Sequence, residues 1–347
     1  MPVTLKDVAA VAGVSIATVS KVLNGKDFDI GKKTIEKVKR IAKEMDYRPN
    51  SMARSMKTKV SRTIGLIIPD VRNPFFTDLA RGAEDSAHER GYSLLFCNSD
   101  NDLDKEMGYI ETLVQKQVDG IALAPSINRD QKREEAFKIP LPIVTLDRDV
   151  YFPEVKGHIH TENETGAYTA VNYLISLGHE RILFLSGQLD IGVSIERLAG
   201  YRRALKDNGI DFDETLLKEG EYSFEFGYDY TKENSLDPSI TAVFCGNDLI
   251  ALGVIKGLKE KGIQVPEEVS VVGFDDIFLS NINSPGLTTI RQPSYKLGFV
   301  TVQRLIDILE GVEHPEFQLN IPLQLIIRES TASRKTNSKP SQKISNG

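Results

Sequence analysis

The chain has 347 residues, 40% hydrophobic and 27% charged, an ordinary soluble composition that is long for one core, so two or three domains are expected. No run approaches the roughly 18 apolar residues of a membrane span and no apolar export segment opens the chain, which excludes a membrane partner and implies the cytosol. The net charge of −6 hides an asymmetry: residues 1–62 carry 14 Lys plus Arg against 6 Asp plus Glu, and the remainder carries 29 against 43. A basic head on an acidic body is the footprint of a nucleic-acid reader in a separate domain, although charge alone also fits a solvated face. Cys97 and Cys245 lie inside apolar strand-like runs and read as reduced core residues.

The first element begins at Thr4, which with Asp7 three residues on forms a capping box. Leu5, Val8, Ala9 and Ala12 would face inward, and Gly13 would end the helix. Ser15 then caps a second helix with Val19, Val22 and Leu23 inward and Ile16, Ala17, Ser20 and Lys21 outward. Two short helices joined by a glycine-containing turn form a helix-turn-helix, whose second helix enters the DNA major groove by its first turn. Ile16 and Ala17 would then face base edges, with Lys21 donating to guanine or phosphate. A third helix over 32–46 closes the small core with Ile35, Val38, Ile41, Ala42 and Met45. After Asn50 comes a short helix-compatible stretch that has no partner face and carries Arg54, Lys57 and Lys59. It reads as a hinge that orders in a minor groove, with Met56 wedged between base pairs.

Beyond residue 62 the pattern switches. Apolar runs TIGLIIPD, YSLLFCNSD, VDGIALAPS and LPIVTLDRD alternate with helical stretches, and a second set, ERILFLSG, TAVFCGND and VSVVGFDD, does the same. Such alternation predicts two doubly wound parallel sheets, with a ligand cleft between them beyond the carboxyl ends of the strands. The residues after those strands are Asn73, Phe75, Phe76, Asp147 and Arg148 on one side and Arg197, Tyr222, Asn247 and Asp275 on the other, with Gln292 in a crossover. Carboxylates, guanidiniums and amides suit vicinal hydroxyls, and aromatic rings suit the C–H faces of a sugar. The alternative for these residues is a strand-end cap, an interdomain salt bridge or a core role.

The stretches TLKDVAAVAGVSIATVSKVLNG, YRPNSMARSM and SRTIGLIIPDVRNPFFTDLARG, continued by GHERILFLSG, FCGNDLIALGV, VSVVGFDD and TTIRQP, resemble the lactose-repressor (LacI/GalR) family of transcription regulators, most closely its ribose-operon-repressor type. The resemblance implies an all-α helix-turn-helix head (1–49), a hinge helix and linker (50–61), an α/β body like the periplasmic binding proteins (62–330), and a disordered tail (331–347). Within the body it implies subdomains of about 62–160 with 292–321 and about 161–291 with 322–330. The DNA-contacting set it implies is Thr4, Ser15, Ile16, Ala17, Thr18, Ser20, Lys21, Asn24, Asn50, Ala53, Arg54, Met56 and Lys57. Lys21 stands where arginine is more usual, Gly31 and Ile35 where serine and arginine are, and Glu162-Asn163 where Asp-Asn is. The cleft set resembles that of ribose-binding proteins and ribose repressors, with Tyr222 in place of phenylalanine.

The partners implied are a pseudo-palindromic double-stranded operator, a small sugar effector and a second copy of the chain; the polar tail has no leucine heptads to build a tetramer. Two alternatives stand beside this reading: a catabolite-control regulator with a phosphorylated carrier protein as co-repressor, and a sugar-binding protein without DNA activity. No enzyme, cofactor or metal is expected. Phosphate-cradling glycines, a G-x-x-x-x-G-K-[ST] run and a G-x-S-x-G elbow are all missing, Asp275 and Asp276 should point apart, and His158 with His160 read as surface chemistry.

Overall fold

The computed structural model describes residues 3–47, 60–126, 139–148, 150, 153–314 and 316–334. Contacts divide the chain into two units, Met1–Ser61 and Arg62–Gly347. The first holds α1 (Leu5–Ala12), α2 (Ile16–Leu23) and α3 (Lys32–Glu44). The capping box is present: Thr4 Oγ1 accepts from Asp7 N at 3.4 Å and Thr4 N donates to the Asp7 carboxylate at 2.8 Å. Gly13 ends α1 at φ 65°, a conformation that costs a residue with a Cβ. Val8, Ala9, Ala12, Val19, Val22, Val38, Ile41 and Ala42 form the core. Val14, Ile30 and Tyr47 join its edge, and periodicity did not point to them because they lie outside the helices.

The second unit contains two sheets. The first has strand order β11-β5-β4-β3-β1-β2, all parallel, from β1 (Thr63–Ile68), β2 (Ser93–Asn98), β3 (Gly120–Leu123), β4 (Ile143–Leu146), β5 (Val155–Thr161) and β11 (Gln318–Ile321). The second has order β12-β10-β9-β8-β6-β7, from β6 (Ile182–Gly187), β7 (Leu217–Gly220), β8 (Ala242–Cys245), β9 (Ser270–Asp275), β10 (Thr288–Arg291) and β12 (Gln324–Ile326). Only the β10–β12 pairing there is antiparallel, because the chain enters β12 directly from β11 rather than through a helix. Central strands such as β6 and β9 are buried throughout, as strands covered on both faces must be.

The helices of this unit are α4 (Pro74–Glu89), α5 (Leu103–Gln115), α6 (Asn163–Ser176), α7 (Gly192–Asp207), α8 (Phe224–Glu233), α9 (Asp248–Glu260), α10 (Phe278–Ile282) and α11 (Ser294–Leu309). They pack in pairs at close range through glycines. A Cβ on Gly82 of α4 would lie 2.0 Å from Tyr295 O of α11, and one on Gly298 would lie 1.9 Å from Leu79 O. Gly227 and Gly253 mirror this between α8 and α9, at 2.1 Å from Ile250 O and Phe224 O.

Three segments cross between the sheets: 161–163 from β5 to α6, 291–294 from β10 to α11, and 321–324 from β11 to β12. Cys245 is fully buried as expected, whereas Cys97, on the edge strand β2, is only half-buried. Among the described residues no helix is long and apolar enough to cross a membrane.

Candidate effector cleft and DNA-reading surface

The carboxyl ends of both sheets face a cavity of about 220 Å³, below the range typical of drug-sized ligands and suited to a smaller one. On one side Asn73 caps α4, its Oδ1 accepting from Phe75 N at 3.0 Å, and Pro74 starts the helix without needing a donor. This turn sets the Phe75 and Phe76 rings edge to face, 5.0 Å apart, at the cavity wall. At the end of β4 the backbone of Asp147 takes φ 65°, a left-handed turn more readily adopted by Asp than by most residues. Arg148 follows, its Nη1 donating to Asn101 Oδ1 at 2.9 Å and Pro125 O at 3.0 Å.

Across the cavity, Arg197 of α7 lies over the Phe274 ring at 3.9 Å and donates from Nη1 to Gly246 O at 2.6 Å. Tyr222 packs on Gly187, with its hydroxyl 2.7 Å from Ser194 Oγ. Asn247 caps α9 by accepting from Ile250 N at 2.9 Å. Asp275 ends β9 at φ 122° and accepts from Gln292 Nε2 at 2.7 Å, 3.9 Å from Arg197 Nη2. Nine of the ten residues expected from the sequence thus line one cavity, and Gln292 stands behind Asp275 rather than in the wall.

Three buried polar atoms in this wall have no hydrogen-bond partner among the described residues: Asp147 Oδ1, Arg148 Nε and Asn247 Nδ2. Arg148 Nε still stands 3.6 Å from Asp147 Oδ2 as an ion pair, so the acceptor Asp147 Oδ1 and the donor Asn247 Nδ2 are the two held dry, which is costly without a ligand because buried polar groups are nearly always paired. Sequence reading missed Asp100, Asn101, Gln188, Ile191 and Glu221, which also line the cavity. Asp100 and Asn101 follow β2, Gln188 follows β6 and Glu221 follows β7, so taking residues just after a strand reaches these four, whereas Ile191 is the N-cap of α7 and lies beyond that rule.

Two carboxyl groups here are strongly perturbed. Burial pushes Asp275 up to about 8 against the opposing pull of Arg197 and Gln292. It also pushes Asp248 up to about 7, although Ser280, Thr289 and the Ile277 N–H all donate to it. Between the ordinary carboxyl range near 4 and about 8, the native state retains protons that the unfolded chain has released, so stability falls as pH rises. Calorimetric scans from about pH 7 to 8.5 should show a declining Tm, and the decline should be shallower in Asp275→Ala; equal slopes would place the titration elsewhere.

In the first unit, Ile16 is 49% exposed and Ala17 is exposed, so both are free to meet another molecule. Lys21 reaches Asp29 at 2.5 Å, a partner that sequence spacing did not suggest. Ser15 and Thr18 engage each other at 2.8 Å, and Asn24 closes α2 by donating to Ser20 O at 2.7 Å. Thr4 and Ser15 therefore serve as helix caps here. The expected contacts Asn50, Ala53, Arg54, Met56 and Lys57, like most of the tail, lie outside the described residues.

Residues 4–50 match the domain of the bacterial regulatory proteins of the lacI family, and residues 171–331 match a periplasmic binding protein-like domain. The ribose operon repressor of Escherichia coli K12 is 39% identical over 307 residues, covering 87% of this chain and 92% of its own. The chain belongs to the lacI family of bacterial regulatory proteins. Among solved structures, the lac repressor dimer bound to operator and an anti-inducer superposes on this LacI-family chain with a TM-score of 0.84 at 30% identity, over 96% of this chain and all of the other. A LacI-family regulator from Enterococcus faecium with bound ribose matches at TM-score 0.71 and 32% identity, over 79% of this chain and all of its own. This LacI-family member is a DNA-binding transcriptional regulator, and its named homologues are regulators rather than enzymes.

Asp275 and Asp276 do point apart, since Asp276 pairs with Arg291 at 2.6 Å and Arg328 at 2.7 Å while Asp275 turns to the cavity. His158 and His160 are not surface residues: His160 is buried, His158 is half-buried and bonds to Thr145, and their rings stand 5.4 Å apart. Parallel β11 pairs with β5 and makes it an interior strand, and Phe317 just before β11 packs edge-on against the His158 ring at 4.9 Å, a pairing invisible to local pattern. No cluster of metal-ligating side chains occurs among the described residues.

Proposed function

We propose that this regulator is a cytosolic, dimeric repressor whose affinity for a pseudo-palindromic operator is set by a small neutral sugar in the cleft, ribose or a related pentose or hexose. It carries no catalytic activity. The observation that supports the sugar most directly is the convergence, in one cavity, of buried Asp147, Arg148, Asn247 and Asp275, with an acceptor on Asp147 and a donor on Asn247 that have no hydrogen-bond partner among the described residues, beside the rings of Phe75, Phe76 and Tyr222. Paired donors and acceptors match vicinal hydroxyls and the rings match C–H faces. The inner wall sets two carboxyl groups against two guanidiniums, and the mouth adds Asp70, Asp100 and Glu221 against Arg72, which disfavours a phosphorylated ligand. That the Escherichia coli relative is a ribose operon repressor and the Enterococcus faecium structure holds ribose supports the same choice.

The test is thermal stability against free and phosphorylated pentoses and hexoses, where a ligand at 100 times its Kd adds about 2.7 kcal/mol. A selective rise with D-ribose is expected. No rise with any sugar, together with tighter operator binding in the presence of a phosphorylated carrier protein, would replace the sugar by a protein co-repressor. The domain limits 1–49, 50–61 and 62–330 belong to this proposal, and a protein lacking residues 1–60 should keep the sugar response while losing operator binding.

On DNA, Ile16, Ala17 and Lys21 are the proposed base-reading residues. Lys21→Ala should lower specific operator affinity by roughly 5- to 100-fold with a smaller effect on random-sequence DNA, because a base-edge contact is worth about 1–3 kcal/mol. Uniform weakening on both, with a shallower salt dependence, would instead make Lys21 a phosphate contact.

A further inference from the structure

Arg197 and Asp275 face each other across part of the cleft wall, and a second, longer connection joins them behind it. Arg197 Nε donates to Asn163 Oδ1 at 3.0 Å, and Asn163 Nδ2 donates to Thr161 O at 3.3 Å and Oγ1 at 3.4 Å. Thr161 Oγ1 donates to Gln292 Oε1 at 2.6 Å, and Gln292 Nε2 donates to Asp275 Oδ1 at 2.7 Å. Every donor points the same way, from the guanidinium to the carboxylate. Thr161 has a single hydroxyl hydrogen, and its use toward Gln292 fixes which side of each amide must face which neighbour. All five residues are buried, where aligned hydrogen bonds strengthen one another.

Position in the chain gives this circuit its consequence. Thr161 and Asn163 lie in the first segment that crosses between the sheets, and Gln292 lies in the second. Beyond the first, Ala167, Ala170, Val171 and Leu174 of α6 pack into a core of the second sheet; beyond the second, Leu297, Val302, Leu305 and Ile306 of α11 pack into a core of the first. Neither Thr161 nor Asn163 lines the cavity.

We infer that Thr161 and Asn163 are positioning residues that carry the effector's hold on Arg197 and Asp275 into the two crossover segments, and so into the response on DNA. The inference rests on the proposed sugar effector. A ligand that donates to Asp275 competes with Gln292 for its lone pairs, and a ligand that accepts from Arg197 competes with Asn163. Either contact shifts the balance at the Thr161 hydroxyl, the one bond that ties the two crossovers together in this circuit.

The experiment uses the full-length protein and an operator duplex selected with the wild type. D-ribose affinity is measured by titration calorimetry, and operator affinity is measured with and without D-ribose. Thr161→Val keeps the shape and deletes the hydroxyl. It should bind D-ribose and free operator within about threefold of the wild type, while the factor by which D-ribose changes operator affinity falls at least about fivefold, from the usual range of about 5 to 150. Thr161→Ser should restore that factor. Asn163→Asp, which keeps an acceptor for Arg197 but removes the donor to Thr161, should repeat the loss even if Thr161→Val does not fold. An unchanged factor in Thr161→Val or Asn163→Asp, or a Thr161→Ser protein as uncoupled as the valine variant, overturns the relay. A wild type with no D-ribose affinity, or whose operator binding ignores the sugar, overturns the effector reading itself.

Discussion

Asp275→Ala should abolish the effector response while leaving operator binding without effector within about threefold of the wild type. The side chain is buried, accepts from Gln292 at 2.7 Å and is the nearest carboxylate to the buried Arg197 guanidinium. Removing it takes away the acceptor for a sugar hydroxyl and leaves the buried Gln292 Nε2 without its partner, a loss of about 1–3 kcal/mol, or roughly 5- to 150-fold in effector affinity. Folding should survive the change. Burial already disfavours the charged form of this carboxyl, which is pushed up to about 8, so its removal relieves a desolvation cost that offsets the lost bonds. The DNA-reading helix belongs to a separate unit of the chain. Equal loss of effector and operator binding would refute a two-site regulator.

Gly298→Ala should be the most damaging single methyl in the body. A Cβ there would lie 1.9 Å from Leu79 O and 3.1 Å from Ala83 N, both backbone atoms that no rotamer change can move. The contact is reciprocal, since Gly82 of α4 meets Tyr295 O of α11 at 2.0 Å, so separating the helices to admit the methyl also opens the core made by Leu79, Ala83, Leu297 and Val302. A cost of about 3 kcal/mol or more follows from overpacking plus lost contact, expected as a fall in Tm of about 6 °C or more. Gly262→Ala serves as the control that separates clash from backbone strain, because its Cβ would meet nothing within 4 Å while its φ of 78° still resists a side chain. Equal losses at the two positions would show that close approach is not the cause.

The head was nearly complete in the amino-acid order. Its capping box, glycine stop and three-helix core depend on neighbours within a few turns, and Leu5, Val8, Val19, Val22, Val38 and Ile41 all pack where 3.6-residue periodicity puts them. The cleft set was legible for a related reason. In a doubly wound sheet, residues after the strands point to the ligand cleft, so strand ends at Ile68, Leu146, Cys245 and Asp275 indicate the wall without knowledge of how strands are ordered.

What the sequence alone determined is therefore what local rules govern: two kinds of domain, a DNA-reading helix, alternating strands and helices, and the chemistry collected at strand ends. Tertiary structure decided everything that depends on which distant segments meet. It buried His160 beneath the β5–β11 edge, withdrew Gln292 from the wall to hold Asp275, and gave Lys21 to Asp29. It also joined Thr161 to a residue 131 positions away, a bond no periodicity announces, because partner choice across a crossover follows from how two sheets pack and not from the spacing of side chains along either.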